Sequence, residues 1–189
     1  YDSEVGEGRD ASVVFKGATL FYTPWLGFSL NNKRKSGLLT PTFGTSSKSG
    51  IEFSLPYFWD IAPNMDMTIA PRLMSKRGVQ INTEYRFLTE NYQGQALVEW
   101  LPDDRLADRK RYGYSLQVSR GNPLLPSLHN QGQGSGFGGL INVNGVSDNT
   151  YFSDLSTRIA QSSQGNLLRQ GVLSYGGGWW TTAANVQVY

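Results

Sequence analysis

The chain has 189 residues, no cysteine, 22 glycines, 13% aromatic and 17% charged residues, and a formal net charge of +2. This small charge excludes a strongly basic nucleic-acid-binding protein and a highly acidic disordered tail, and the lack of cysteine excludes disulfides and thiolate metal sites within these residues. Abundant glycine and aromatic residues favour strands over helices. The chain begins without methionine and stops inside an apparent strand, so we interpret it as a piece of a longer protein.

Apolar and polar residues alternate with a period of two along nine predicted strands after residue 33, and no helical pattern competes with them. In chain order the strands are predicted near residues 34–44, 51–58, 65–73, 79–87, 95–100, 112–118, 141–144, 173–175 and 180–188. Predicted loops at 45–50, 75–78, 103–110 and 147–166 alternate with predicted turns at 59–64, 89–92, 121–136 and 176–178. The fold class is therefore predicted as all-β, an antiparallel up-and-down sheet.

Three features favour a membrane sheet over a soluble sandwich or lectin-like sheet, which would show the same alternation. Many segments reach about 9–11 residues, the length that a tilted strand needs to cross a bilayer. Aromatic residues cluster at segment ends, as they do at membrane interfaces: Tyr57, Phe58, Trp59, Trp179 and Trp180. The face opposite the apolar one carries charges that suit a wet lumen: Asp66, Arg72, Glu84, Arg86, Glu99 and Arg111. Together these features predict part of a transmembrane β-barrel, because only a closed sheet satisfies its backbone in lipid.

The group Tyr57, Phe58 and Trp59 directly precedes the sequence DIAPN, whose proline and asparagine signal a turn. We therefore expect these aromatic side chains at the periplasmic interface of the membrane. Core packing within a soluble sheet is the alternative interpretation.

Two consecutive runs carry a family resemblance, LFYTPWLGFSLNNKRKSGLLTPTFG and FSLPYFWDIAPNMDMTIAPRLMSKRG, and NGVSDNTYFSDL follows later. They resemble the LptD family of lipopolysaccharide-assembly proteins of Gram-negative outer membranes, in which the motifs FYTPYL, R-SGFL-P and LPYYWNIAPN occur in this order. The match is closest over about residues 20–101, and the later strands fit the family in rhythm. The run Gly37-Leu38-Leu39 replaces the family's Gly-Phe-Leu, and residues 122–136 are richer in proline than the family pattern.

The resemblance implies a domain organisation and a function. Residues 1–32 would be the C-terminal end of a periplasmic jellyroll with its linker, and residues 33–189 the N-terminal strands of an incomplete outer-membrane barrel. The function implied is a translocon component that receives lipopolysaccharide and inserts it into the outer leaflet through a lateral gate. The partners implied are lipopolysaccharide, an LptE-like plug lipoprotein, an LptA-like periplasmic bridge protein and membrane lipids, with no cofactor or metal. A passive porin-like or structural barrel is the alternative function.

Two prolines lie within the first two predicted barrel strands, Pro41 in LLTP and Pro56 in SLPY. Proline donates no hydrogen bond to a strand ladder, and each lost bond costs about 0.5–1.5 kcal/mol. In the resembling family the seam between the first and last strands is the lateral gate through which lipopolysaccharide leaves, so both residues are candidate gate residues. The alternative is that the prolines mark a twisted or bulged strand edge.

A basic cluster, Lys33, Arg34 and Lys35, stands where the jellyroll would meet the barrel. Lipopolysaccharide carries phosphates, which arginine can bind through two hydrogen bonds, so a ligand contact is one interpretation. Ordinary surface charge is the other.

The sequence gives little support for a catalytic or metal-binding site, and we expect that the protein is not an enzyme. The single histidine, His129, has Ser127 and Asn130 near it, but no predicted strand fixes their geometry. The acidic run in PDDRLADRKR suggests cation binding, yet the basic residues among its aspartates favour a solvated charged loop.

Overall fold

The computed structural model describes residues 5–15, 17–29, 34–120, 136–155, 159, 167–177 and 180–188. Its elements in chain order are β1 Val5–Phe15, β2 Ala18–Ser29, β3 Gly37–Leu38, β4 Thr42–Ser46, β5 Gly50–Ser54, β6 Tyr57–Ala62, β7 Met65–Met74, β8 Gly78–Leu88, β9 Tyr92–Asp104, β10 Arg109–Arg120, β11 Gly136–Val146, α1 Tyr151–Asp154, β12 Arg169–Gly177 and β13 Trp180–Val188. Within these ranges, no helix has the length and apolar character required to span a membrane.

The strands form two antiparallel sheets. One contains only the hairpin of β1 and β2, and the other contains the eleven strands β3 to β13. In the larger sheet, neighbours along the chain pair from β7 to β13, while β5 and β6 both pair with β7, β4 pairs with β5, and β3 pairs with β6. Since β3 and β4 lie in line, as do β5 and β6, the described strands fill nine positions across the sheet. The prediction of an all-β, up-and-down antiparallel fold is confirmed, and this sheet is not closed.

The two faces of the large sheet have the polarity of a membrane sheet. On what we call the outer face, apolar side chains are exposed, with Val98 at 47% and Trp100 at 51%. On the inner face, polar side chains are buried, including Gln80 and Arg111 at 0%. Strand alternation sends successive side chains to opposite faces, so the predicted division into an apolar face and a charged face is confirmed.

The connection after β11 corrects the sequence analysis, which predicted a plain loop at 147–166 and no helix. Residues 147–155, which we call the α1 segment, contain the helical turn α1 and fold against the inner face. Tyr151 and Leu155 are fully buried and pack with Met74 and Leu101. Gly113 makes this possible, because a Cβ atom there would lie 3.1 Å from the Tyr151 ring. An apolar cluster therefore sits on the otherwise polar side of the sheet.

Candidate functional site

The first two strand positions are interrupted at the two prolines. Pro41 lies between β3 and β4, and Pro56 lies between β5 and β6. Across the interruption, the backbone N–H of Leu39 donates to the carbonyl oxygen of Pro56 at 2.8 Å. Neither proline can donate such a bond itself, so the ladder is weakened at the same level on both strands.

At this break the pairing register shifts by one residue between the first and second strand positions, but not between the second position and β7. Leu38 pairs with Tyr57 below the break and Thr42 pairs with Ser54 above it, so three residues of the first strand oppose two of the second. One extra residue on one of two paired strands is the mark of a β-bulge. Against β7 the register is continuous, because Ser54 pairs with Arg72 and Tyr57 with Ile69. The slip therefore lies between the first and second strand positions. The structure therefore contains the bulged strand edge that the alternative interpretation of the two prolines expects. A role of the prolines in a lateral gate stays a prediction.

A cavity of about 510 Å³ lies against the broken strands. Its lining includes the apolar residues Leu39 and Pro56 beside the break. It also includes charged inner-face residues of β7 to β9: Arg72, Arg86, Glu84 and Glu99. The rings of Phe43 and Phe53, whose centroids are 4.9 Å apart, lie on the outer face, because their strand positions pair with Leu73. The cavity thus presents charged side chains and a small apolar part to an occupant.

The cations of this cavity are already held by acidic partners. Arg72 donates to Glu52 at 2.6 Å and to Gln80 at 3.2 Å. Arg86 donates to Asp66 at 2.8 Å. An anionic group that enters the cavity would therefore compete with the protein's own carboxylates for these two arginines.

The structure places Arg34 of the basic cluster beside the turn between β6 and β7. Arg34 bonds Asp66, donates to the carbonyl oxygen of Pro63 at 3.2 Å and lies 5.7 Å from the Phe58 ring centroid. Lys35 is exposed, whereas Lys33 lies outside the described residues. Arg34 thus fastens the chain before β3 to the neighbouring turn, and contact between the cluster and a ligand stays a prediction.

The predicted interface aromatics fall into two groups. Tyr57 and Trp59 share the outer face of β6 and are exposed, whereas the half-buried Phe58 lies beneath Arg34. Trp180 begins β13. Trp179 and the side chain of Trp180 lie outside what the structure describes, as do Ser127, His129 and Asn130. The assignment of these aromatics to a membrane interface stays a prediction.

A buried ionic cluster joins the α1 segment to the strands, and the sequence analysis missed it. Arg111 donates to Asp148 at 2.9 and 3.0 Å, to Asp154 at 2.9 Å and to Asp104 at 3.1 Å. Arg77 also donates to Asp104, at 2.6 Å. The expected solvated loop at 103–110 is therefore wrong for Asp104, which is fully buried at the end of β9. Among the described residues, no cluster of acidic or histidine side chains is suited to hold a metal ion.

Burial, neighbouring charge and hydrogen bonds together set the protonation of two groups in the α1 segment. Burial alone would raise the pKa of Asp148, but hydrogen bonds from Ser147, Thr150 and Arg111 outweigh it and lower the pKa to about 2. Burial and the charge of Glu99 raise the pKa of Tyr151. At neutral pH, Tyr151 is therefore protonated and donates to Glu99 at 2.8 Å, while Gln80 donates to the Tyr151 oxygen at 3.3 Å. The α1 segment is thus fixed to the inner face by both charge and hydrogen bonds.

An up-and-down antiparallel sheet with an exposed apolar face and a buried charged face defines the class of transmembrane β-sheet proteins. Residues 124–189 match the family model LptD, described as LPS transport system D. The predicted resemblance to the LptD family is confirmed, since curated relatives of that name match this chain over nearly its whole length.

Three relatives illustrate the match, each named LPS-assembly protein LptD. The protein of Aromatoleum aromaticum is 45% identical over 100% of this chain and 23% of the relative. That of Nitrosomonas europaea is 45% identical over 92% of this chain and 22% of the relative. That of Ralstonia nicotianae is 41% identical over 100% of this chain and 22% of the relative. The chain thus spans about a fifth of the length of the curated relatives that it matches.

Proposed function

We propose that this chain is part of an outer-membrane translocon that receives lipopolysaccharide from a periplasmic bridge protein and inserts it into the outer leaflet through a lateral gate at the first barrel strands. The relatives carry the name LPS-assembly protein. The observation that carries the proposal is the double interruption at Pro41 and Pro56, directly beside the cavity. Weak pairing at one level of two adjacent strands is what an opening seam requires, and a passive pore has no need of it.

The chemistry of the cavity supports an amphiphilic cargo. Lipopolysaccharide combines acyl chains with phosphates and sugars, and the cavity lining includes both the apolar residues Leu39 and Pro56 and the charged residues of β7 to β9. A space of about 510 Å³ is smaller than a whole lipopolysaccharide, so passage requires the gate beside the broken strands to open. Neither proline donates a ladder bond there, which weakens the first strands beside that gate.

The remaining parts of the chain take their roles from the same proposal. Residues 1–32, with the separate hairpin of β1 and β2, form the end of a periplasmic jellyroll that accepts lipopolysaccharide from an LptA-like bridge protein. Residues 33–189 form the first strands of the barrel, which an LptE-like lipoprotein plugs and membrane lipids surround. The role of the protein is transport rather than catalysis.

The proposal is tested by replacing Pro41 and Pro56 together with alanine in the full-length protein. The change supplies two N–H donors, and restored bonds worth about 1–3 kcal/mol in sum would lower the open population roughly 5- to 150-fold. Lipopolysaccharide delivered to the cell surface per assembled barrel should fall, while barrel abundance and thermal stability hold or rise. That combination separates a closed seam from misfolding.

Pro71→Ala is the matched control. Pro71 lies within β7, where it pairs with Ile81, one strand position further from the seam than the two interrupted strands. Its carbonyl oxygen still accepts the hydroxyl of Ser54 after substitution. Normal delivery by the double variant, or an equal loss with Pro71→Ala, would favour a bulged edge in a passive barrel.

A second test concerns the two lysines of the basic cluster. We infer that Lys33 and Lys35 contact lipopolysaccharide phosphates, whereas Arg34 is occupied by Asp66. Replacing both lysines with glutamine should weaken photocrosslinking of lipopolysaccharide to this segment and leave the barrel folded. Crosslinking that is unchanged at low and at physiological salt would assign these lysines to ordinary surface charge, because a phosphate contact responds to neutralisation and to screening.

A further inference from the structure

A groove of about 570 Å³ crosses the outer face of β10 to β13. Its lining includes Gly139, Gly171 and Ala184, set among larger apolar side chains. The register places Gly171 directly between Ile141 and Val186 on the two adjacent strands. A Cβ atom built on Gly171 would meet no heavy atom within 4 Å, so this glycine leaves open space. The groove is therefore a gap between branched side chains on the apolar face of the sheet.

One end of the groove carries a cation. Arg120 is the last residue of β10 and pairs directly with Gly139, and its guanidinium lies 5.4 Å from the Tyr92 ring centroid. Within the part of the chain that the structure describes, Arg120 forms no ion pair, in contrast to Arg72, Arg86 and Arg111. This end of β10 is also the end of the sheet where β6 turns into β7. By the interpretation of the aromatics above, that is the periplasmic boundary of the membrane.

We propose that this groove binds one anionic phospholipid of the periplasmic leaflet, with its phosphate at Arg120 and one acyl chain along the gap at Gly171. The charge complementarity selects this occupant, because an apolar groove that ends in an exposed arginine matches an acyl chain that ends in a negative headgroup. Stacking on Tyr92 holds the guanidinium at the boundary. The inference requires only that the outer face meets lipid, and it is independent of how lipopolysaccharide is delivered.

Native mass spectrometry of the full-length protein, with phosphatidylglycerol and phosphatidylcholine as probes, tests the site. The unmodified protein should retain phosphatidylglycerol about fivefold or more over phosphatidylcholine. Arg120→Gln should remove this preference, because the headgroup loses its cation. Gly171→Leu should reduce retention of both lipids, because the new side chain fills the gap.

Two control variants match these changes. Arg169→Gln removes an exposed arginine at the opposite end of the same region, where Arg169 pairs with Val143 and Val188. Val98→Leu enlarges an apolar side chain on the outer face outside the groove. Both controls should retain the lipids as the unmodified protein does.

Equal retention of the two phospholipids by the unmodified protein would overturn the proposal, as would retention that neither groove variant alters. Retention of added lipopolysaccharide in place of phosphatidylglycerol would overturn it as well. Loss of lipid with all four variants would assign the effect to general destabilisation and so also count against the site. None of these readouts depends on lipopolysaccharide delivery, so failure here leaves the proposed function standing.

Discussion

Replacing Arg111 with glutamine should release the α1 segment from the inner face. Arg111 is fully buried and binds Asp104, Asp148 and Asp154 at 2.9–3.1 Å. Removing one member of a buried ion-pair network costs about 3–5 kcal/mol, because the remaining charges lose their compensation. Glutamine keeps some hydrogen bonding, so we expect about 3 kcal/mol, equivalent to a roughly 150-fold larger open population of the α1 segment.

Hydrogen exchange in the full-length protein measures this opening directly. The backbone N–H groups of Asp154 and Leu155 donate to the carbonyl oxygens of Thr150 and Tyr151, so they exchange only when the α1 segment opens. Their protection factors should fall about 100-fold or more in Arg111→Gln, and those in the middle of β8 should hold.

Arg109→Gln is the matched control for this experiment. Arg109 lies two residues away and also bonds Asp148, at 3.1 Å, but its side chain is 48% exposed. An exposed pair contributes about 0–1 kcal/mol, so protection should change at most about fivefold. Equal loss of protection in the two variants, or none with Arg111→Gln, would refute the argument that burial makes Arg111 the main anchor.

Two further predictions concern the α1 segment and the outer face. The lowered pKa of Asp148 means that its stabilisation of the folded state is complete above about pH 4 and is lost as the pH falls towards 2, a loss of about 2 kcal/mol. Hydrogen exchange of the α1 segment should follow that decline, and Asp148→Asn should flatten it; an unaltered decline in the variant would contradict the assignment. On the exposed outer face, Val98→Arg should cost about 2–4 kcal/mol of folding stability in bilayers, and the inner-face change Asn142→Arg much less, so equal costs would argue against lipid contact.

The strands were predictable because their signal is local. Each segment shows the alternation of apolar and polar residues on its own, so residues such as Asp66 and Met67 are assigned to opposite faces without knowledge of the neighbouring strands. The interruptions at Pro41 and Pro56 were predictable for the same reason, since proline affects its own backbone position. The family resemblance likewise depends on short runs that can be recognised directly in the sequence.

The features that the sequence analysis missed all depend on pairing between distant segments. Arg111 and Asp148 are 37 residues apart, so neither residue indicates that the other will neutralise it. The register slip at the break needs the partners of Leu38 and Thr42, and the groove needs the alignment of Gly171 with Ile141. Register is set by the assembled sheet, and no single segment contains it.

The position of the α1 segment has a consequence for the order of folding. Its bonds span long stretches of chain: 52 residues from Tyr151 to Glu99, 71 from Tyr151 to Gln80, and 105 from Ser153 to Lys48. The neighbouring strands from β7 to β10, by contrast, are joined by short turns, whose closure costs little entropy. The α1 segment can therefore dock only after β8 and β9 have paired, because its partners Gln80 and Glu99 come together on that paired surface. A docked α1 segment is thus a late marker that this part of the sheet has assembled in the correct register.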